Sequence, residues 1–467
     1  MKKIFIAAAF LGLIATGCRK IEVDGTTIIS GGGGGGTTTE VTILEGRIIE
    51  NRTLKAQFTY KLRGLVYVTN GAVLTIEPGT KIVGETGKNG GLIICRSAKI
   101  VADGTVDKPI VFTSEAATPA PGDWAGLVIL GNAPTNATFN GQPGIGEIEG
   151  GINNSDGLGL YGLGASSNPA DNSGILRYVR IEYAGYAFLP DKEINGLTMG
   201  GVGNQTIIDY VQVYRANDDS FEWFGGTVNC KHLIAYKGLD DDWDLDNGYS
   251  GKVQFGISLR DSSVADISGS NGFEVDNDAS GSTATPQTSA VFSNMTVIGP
   301  RATLSNVGNS NFKRGMHLRR NSSISIFNSV IMGWPIGLLV DGSAGRPTDL
   351  NLTAGSMVLA NNIIASNNTQ FSYSASASSP TGWSTTDLAN YFNLPANANS
   401  VLAANADVNL TAPFKYDNSV DFNPAAGSPA LTSASFANAK LATGFTVVTH
   451  KGAAAAGDTW WKGWTKF

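Results

Sequence analysis

Six short stretches of this chain share one pattern: an apolar residue, a variable one, a polar or aromatic one, then alternating apolar residues. They are LRYVRI from Leu176, IDYVQV from Ile208, CKHLIA from Cys230, FSNMTV from Phe292, IFNSVI from Ile326 and LANNII from Leu359, with a weaker member, KVQFGI, from Lys252. Taken in order, their starts lie 32, 22, 22, 40, 34 and 33 residues apart. A second strand recurs alongside them: GLTMGG from Gly196, SFEWFG from Ser220, DWDLDN from Asp242, GFEVDN from Gly272, GMHLRR from Gly315 and GLLVDG from Gly337, each apolar at its second and fourth positions. One such unit cannot bury its apolar face alone, whereas stacked units share a continuous core. The pattern predicts an all-β chain: a single-stranded, right-handed parallel β-helix (a solenoid) of roughly a dozen coils about 4.8 Å apart, with long loop insertions.

Other features agree. Gly is 59 of 467 residues, charged residues are 15% and hydrophobic ones 42%, so turns are plentiful and a core is affordable. No window past the N-terminus carries an apolar stripe at helical spacing, which disfavours helix bundles and α/β folds. VYVTNGAVLTIEPGTKIVG (66–84) and LIICRSAKIVADGTVDKPIVFTS (92–114) read as opening coils, and DFNPAAGSPAL (421–431) as a closing one. In the last three repeats the third position is Asn294, Asn328 and Asn361; Asn suits a left-handed bend and can bond to its counterpart one layer on. His232 holds the equivalent ladder position and reads as structural. Cys95 and Cys230 fall several coils apart, beyond disulfide reach, and are expected as two buried free thiols. The polar runs at 134–174 and 366–400 read as loops over one side of the helix.

The N-terminus MKKIFIAAAFLGLIATGCRK sets Lys2 and Lys3 before an apolar run too short to span a bilayer, and reads as a secretory signal over 1–17. Cys18 after Thr16-Gly17 is the expected lipidation site, although Ala15 replaces the Leu usual three residues earlier. Residues 18–40 then form a tether whose Gly31–Gly36 run has nothing to bury. The β-helix is assigned to 41–450, and the Trp-rich end 451–467, with Trp460, Trp461 and Trp464, to a cap over the last coil. Loss of Lys2 and Lys3 would take the net charge from −6 to −8, and no basic run offers a phosphate track, so nucleic acid is not an expected partner. No nucleotide fingerprint, nucleophile elbow or haem motif occurs in a strand–helix context.

The stretch GLDDDWDLDNGYSG (238–251) packs Asp240, Asp241, Asp242, Asp244 and Asp246 into seven positions. Alternation directs Trp243 and Leu245 inward and Asp242, Asp244 and Asp246 outward. Stacking the second strands aligns Thr198, Glu222, Asp244, Glu274, His317 and Leu339 in one column, and Gly200, Phe224, Asp246, Asp276, Arg319 and Asp341 in the next. Adjacent carboxylates at that spacing repel by about 1 kcal/mol in water, and more when desolvated, so a cation or raised pKa values must relieve them. Ca²⁺ suits an all-oxygen set, with Asp244, Asp246, Glu274 and Asp276 as expected ligands. Zinc is not expected, with only His232, His317 and His450 and no His/Cys cluster. Catalysis on the same face would take Ca²⁺ with His317 or Arg319 as base for a lyase, or two carboxylates such as Glu222 and Glu274 for a glycoside hydrolase. A solvated wall of acids with no specific role is the third reading.

GDWAGLVILGNAP (122–134), DNSGILRYVRIEYAG (171–185), EINGLTMGGVG (193–203), DDSFEWFGGTVN (218–229) and WWKGWTKF (460–467) resemble a group of Bacteroidota surface lipoproteins with a pectate-lyase-like β-helix. The resemblance implies an outer-membrane lipoprotein, exposed at the cell surface, whose relatives accompany TonB-dependent transporters. The function expected from residues and resemblance together is binding. An acidic, Ca²⁺-holding face would meet an extracellular polysaccharide or a transporter partner, with lyase or hydrolase chemistry as the alternative and a non-catalytic scaffold as the next.

Overall fold

The computed structural model describes residues 41–189, 192–306 and 308–467; the signal segment, Cys18 and the Gly-rich tether lie outside the described residues. The chain is a parallel β-helix with three strand ladders. One ladder runs through Val41–Ile48, Thr59–Val68, Lys81–Gly84, Ile110–Ser114, Gly174–Glu182, Ile207–Tyr214, Asn229–Tyr236, Lys252–Leu259, Thr296–Ile298, Val330–Met332, Ile363–Ala365 and Ser400–Leu402, all paired parallel. Those twelve layers match the dozen coils expected. Inside the stack, inward side chains from all three ladders make one core, with Trp124, Trp223, Trp243 and Trp334 fully buried.

The repeats pair as the alternation predicts, Leu176 with Ile208 and Ile208 with Cys230. The member at Lys252 is displaced by one residue, since Cys230 pairs with Val253. Its third position is therefore Phe255, not Gln254. Tyr178, Tyr210, His232, Phe255, Asn294, Asn328 and Asn361 then share one corner, each with φ between 49° and 64°. Left-handed backbone is costly for aromatic residues, and stacking offsets it. Ring centroids lie 4.5 Å apart for Tyr178–Tyr210, 4.2 Å for Tyr210–His232 and 5.1 Å for His232–Phe255. The His232 Nδ1 also meets Asp209 at 2.7 Å, which makes this histidine a structural one.

Three expectations need correcting. Residues 366–400 are no lateral loop: Thr369–Ser374 pairs with Ile336–Asp341 as the last strand of its ladder. The helix Thr385–Phe392, capped by Ser384 and Asp387, presses Leu388 and Phe392 onto the end of the core. The stretch at 421–431 is no closing coil, because Asp421–Pro424 pairs antiparallel with Leu410–Ala412. Nor do the C-terminal tryptophans cover the last coil. From about residue 434 the chain runs back along the aromatic corner, gripped by amide side chains that both donate and accept. Asn328 binds Ser435 (3.0 and 2.8 Å), Gln254 binds Thr446 (2.7 and 2.7 Å) and Gln212 binds Lys466 (2.7 and 2.9 Å). The expected bond between successive corner asparagines gives way to these contacts with the tail. Trp464 is fully buried edge-on to Tyr178 and Tyr210, and its carbonyl accepts from Arg180 at 3.0 Å.

Cys95 and Cys230 are buried free thiols, as expected, and burial pushes both pKa values up to about 12. In a Cys18→Ser variant, iodoacetamide at about pH 8 will label neither thiol in the native state and both in denaturant, read by mass spectrometry. Trp464→Ala removes a buried indole from the strap and is expected to cost about 3–5 kcal/mol, measured as a lowered denaturation midpoint.

Candidate functional site

The second ladder carries the acids. Leu197–Gly200, Phe221–Phe224, Trp243–Asp246, Phe273–Val275, Arg314–Leu318 and Ile336–Asp341 pair in register, so Thr198, Glu222, Asp244, Glu274, His317 and Leu339 align as the alternation predicts. A further column stands three residues before this one, in the turn that precedes each strand or, in the Arg314–Leu318 coil, at the strand's first residue. Backbone bonds from Gly196 to Asp219, Ser220 to Asp241, Asp242 to Asn271 and Gly272 to Arg314 align Asn195, Asp219, Asp241, Asn271 and Arg314. Sequence reasoning missed this column, although its signal lies immediately before the quoted strands: Asn195, Asp219, Asp241 and Asn271 each stand two positions before the first inward residue.

These columns are not a wet surface. Outward-facing Ile93, Val128, Leu130 and Phe224 are covered by Ile148, Ile152, Tyr161 and Ile194 from the insertion after residue 134 and the hairpin before residue 195. The fit is close, since a Cβ on Gly200 would stand 2.8 Å from the Tyr161 ring. Thr135 and Asn136 tie the insertion to the Asn247 carbonyl at 2.8 and 3.0 Å, and Tyr67 holds the Ile152 carbonyl at 2.7 Å. Glu222 is only 5% exposed beneath this cover, with Asn195 donating to its carboxylate.

Electrostatically the array divides in two. In the later coils, Arg319 pairs with Asp276 (2.7 Å) and with Glu274, Arg320 reaches Asp276 at 2.6 Å, and His317 bridges Glu274 (3.2 Å) and Asp341 (3.5 Å). Burial disfavours the Glu274 carboxylate, yet His317 and Arg319 together hold its pKa below the ordinary value. The same histidine, with the hydroxyl and backbone N–H of Ser343, holds Asp341 at about 2 against burial. Arg319, its own pKa raised by those carboxylates despite burial, has no proton to give or take in ordinary conditions. In the earlier coils, Asp219, Glu222, Asp241 and Asp244 are driven well above the carboxylate range, first by burial and then by neighbouring acids, of which Asp218, Glu149, Asp240 and Glu274 respectively act most strongly. Asp246 rises to about 7 by burial and the nearby Asp276. The four residues expected to share one Ca²⁺ are thus separated: Glu274 and Asp276 belong to the arginines, while Asp244 sides with Asp219 and Asp241, their ligand atoms within 4.8 Å of one another.

Asp242 departs from the outward alternation expected of it. It is fully buried and meets the Arg260 guanidinium, itself fully buried, at 3.1 Å. Arg260 donates to the carbonyls of Gly238 and Asn271 at 2.7 Å each and to that of Asp240, and lies 5.7 Å from the Phe312 ring and 5.8 Å from that of Trp334. The acidic turn is thus wrapped round one cation. Arg260→Met leaves Asp242 buried without its counter-ion and the Gly238 and Asp240 carbonyls without their guanidinium donor. A loss of about 3–5 kcal/mol is expected from denaturant melts, with partial recovery in Arg260→Met/Asp242→Leu.

A cleft of about 540 Å³ opens beside the Asp246 end of the array, between the insertion and the loop at 278–284. Thr138, Phe139, Glu147, Asn247 and Ser280 line it, and Tyr161 forms its floor against Phe224.

A family model described as a pectate-lyase-like β-helix domain matches residues 46–465. No curated protein and no solved structure matches the chain. The matched span takes in the three ladders, the insertion and the returning tail, and a domain of this kind fits a carbohydrate-related role. The chain belongs to the family of pectate-lyase-like β-helix domains.

Proposed function

We propose that the protein is a non-catalytic binding lipoprotein of the outer membrane, anchored through Cys18, which holds an extracellular polysaccharide in the cleft beside the acidic face. The observation that carries the reading is the state of the would-be catalysts. Arg319 and His317 are locked into carboxylate pairs, and Glu222 is sealed under the insertion. A lyase needs a base that can reach substrate, and a hydrolase needs two accessible carboxyl groups. The cleft, by contrast, offers a half-buried aromatic, Phe139, among hydroxyl, amide and carboxylate groups, the mixture that orients a sugar ring. Like the surface lipoproteins its motifs resemble, such a binder would work alone or beside a TonB-dependent transporter.

One observation favours the hydrolase alternative: burial and neighbouring acids push the Glu222 carboxyl well above the ordinary range while His317 and Arg319 hold Glu274 below it, the direction of split found in an acid–base pair. The test is affinity electrophoresis against a panel of acidic and neutral polysaccharides, with parallel assays for reducing ends and for unsaturated uronate absorbance. Retardation by at least one polymer without product is expected. Phe139→Ala should weaken it about tenfold, the loss of roughly one aromatic contact. Accumulating product in the wild type would make the protein an enzyme, and no retardation by any polymer would leave the scaffold reading.

A further inference from the structure

We propose that Asp219, Asp241 and Asp244 form a site for one calcium-like cation, a different set from the four acids that strand alternation suggests and independent of any glycan in the cleft. Each of the three offers a carboxylate oxygen within 4.8 Å of the other two, the separation that a pair of calcium–oxygen bonds of about 2.4 Å spans. They come from two adjacent coils, which the ladder keeps in fixed register through Phe221–Trp243 and Glu222–Asp244. Two of the carboxylates are oriented by backbone: the Asp241 N–H donates to Asp219 Oδ1 at 2.7 Å, and the Asn271 N–H donates to Asp241.

A second observation, separate from the acids, points to a ligand. Asn195 and Asn271 flank Asp219 and Asp241 in the same column, 1% and 0% exposed. Asn271 donates to Glu274 at 3.0 Å, to the Gly269 carbonyl at 3.1 Å and to Asp241 at 3.4 Å, and Asn195 donates to Thr198 at 3.3 Å and to Glu222. Their side-chain amide oxygens, like Asp240 Oδ1, are buried with no donor. Orphaned buried oxygens are costly, and a cation satisfies several at once. Protein cations do not fill the role: among the described residues no Lys, Arg or His lies within ion-pair distance of Asp219, Asp241 or Asp244, because Arg260, Arg319, Arg320 and His317 are committed elsewhere. The donor set is oxygen throughout, so a hard cation fits and zinc or copper does not. Asp218 and Asp240 form an overlapping group with Asp219 and supply further oxygens at its edge.

The experiment is calorimetric titration of Ca²⁺ into the full mature protein after chelator treatment, with thermal melts in chelator and in excess Ca²⁺ and no polysaccharide present. One Ca²⁺ per chain and a raised melting temperature are expected. Asp219→Asn and Asp241→Asn, which remove charge while keeping shape, should each weaken binding at least tenfold and shrink the thermal shift. Asp276→Asn, in the arginine-paired half, should leave the affinity unchanged. Circular dichroism of every variant separates loss of the ion from loss of the fold. Absence of heat and of any thermal shift in wild type would overturn the site, as would full-strength binding by an Asp219→Asn/Asp241→Asn double variant. Loss of binding in Asp276→Asn alone would place the ion in the other half.

Discussion

Seven consecutive coils turn one corner on a single residue whose backbone is left-handed, and the register of that part of the stack hangs on it. Side chains alternate with period two, so a slip of one position would send a coil's apolar set to solvent and its polar set into the core. In the later coils the corner is Asn, which tolerates the conformation, and in the earlier ones it is Tyr178, Tyr210, His232 and Phe255, which do not adopt it readily. Their rings stack face to face through four layers, and the returning tail lays Trp460 and Trp464 edge-on against that stack. Corner strain is therefore held down by aromatic packing that exists only when the coils are already in register. Register and packing support each other, which is why the acids two strands away fall into columns at all.

Much of this was legible in the chain. Period-two alternation placed Thr198, Glu222, Asp244, Glu274 and His317 in one line, because ladder partners follow from counting once one inward residue per coil is known. Counting fails where the turn, not the strand, sets position. Asp242 follows strand arithmetic in number but not in direction, since the turn before it closes round Arg260, a residue from the end of the neighbouring strand. The Lys252 repeat is ambiguous by one residue in the sequence because the polar Gln254 fits the third position as well as the aromatic Phe255 does. The tail was read as an end cap because tryptophans at a terminus look like an end cover. Its true place depends on Gln212, Gln254 and Asn328, contacts made across hundreds of residues that no local pattern announces.

The burial of the acids has the same origin. From sequence, outward residues read as facing water, and a solvated wall of carboxylates is one of three readings of that face. The insertion after residue 134 changes the dielectric around that wall by covering it with Ile148, Ile152 and Tyr161. Once covered, equal acids become unequal. Those within reach of Arg319, Arg320 and His317 have a counter-charge, while Asp219, Asp241 and Asp244 have no ion-pair partner among the described residues. Which acids are paired is thus set by the coil that carries Arg319, Arg320 and His317.

The strap along the corner also alters how the molecule comes to be. A bare solenoid is quasi-one-dimensional: coils touch only their neighbours, and each can add to the growing end as it forms. Here Gln212 is joined to Lys466 and Arg180 to Trp464, across 254 and 284 residues. Closing such separations is slow because the chain entropy must be surrendered before the contact rewards it. Coils can stack in the order in which they emerge, but the aromatic corner stays uncovered until the last residues arrive. The final residues thus turn a linear array, free to fray from either end, into a unit that opens and closes together.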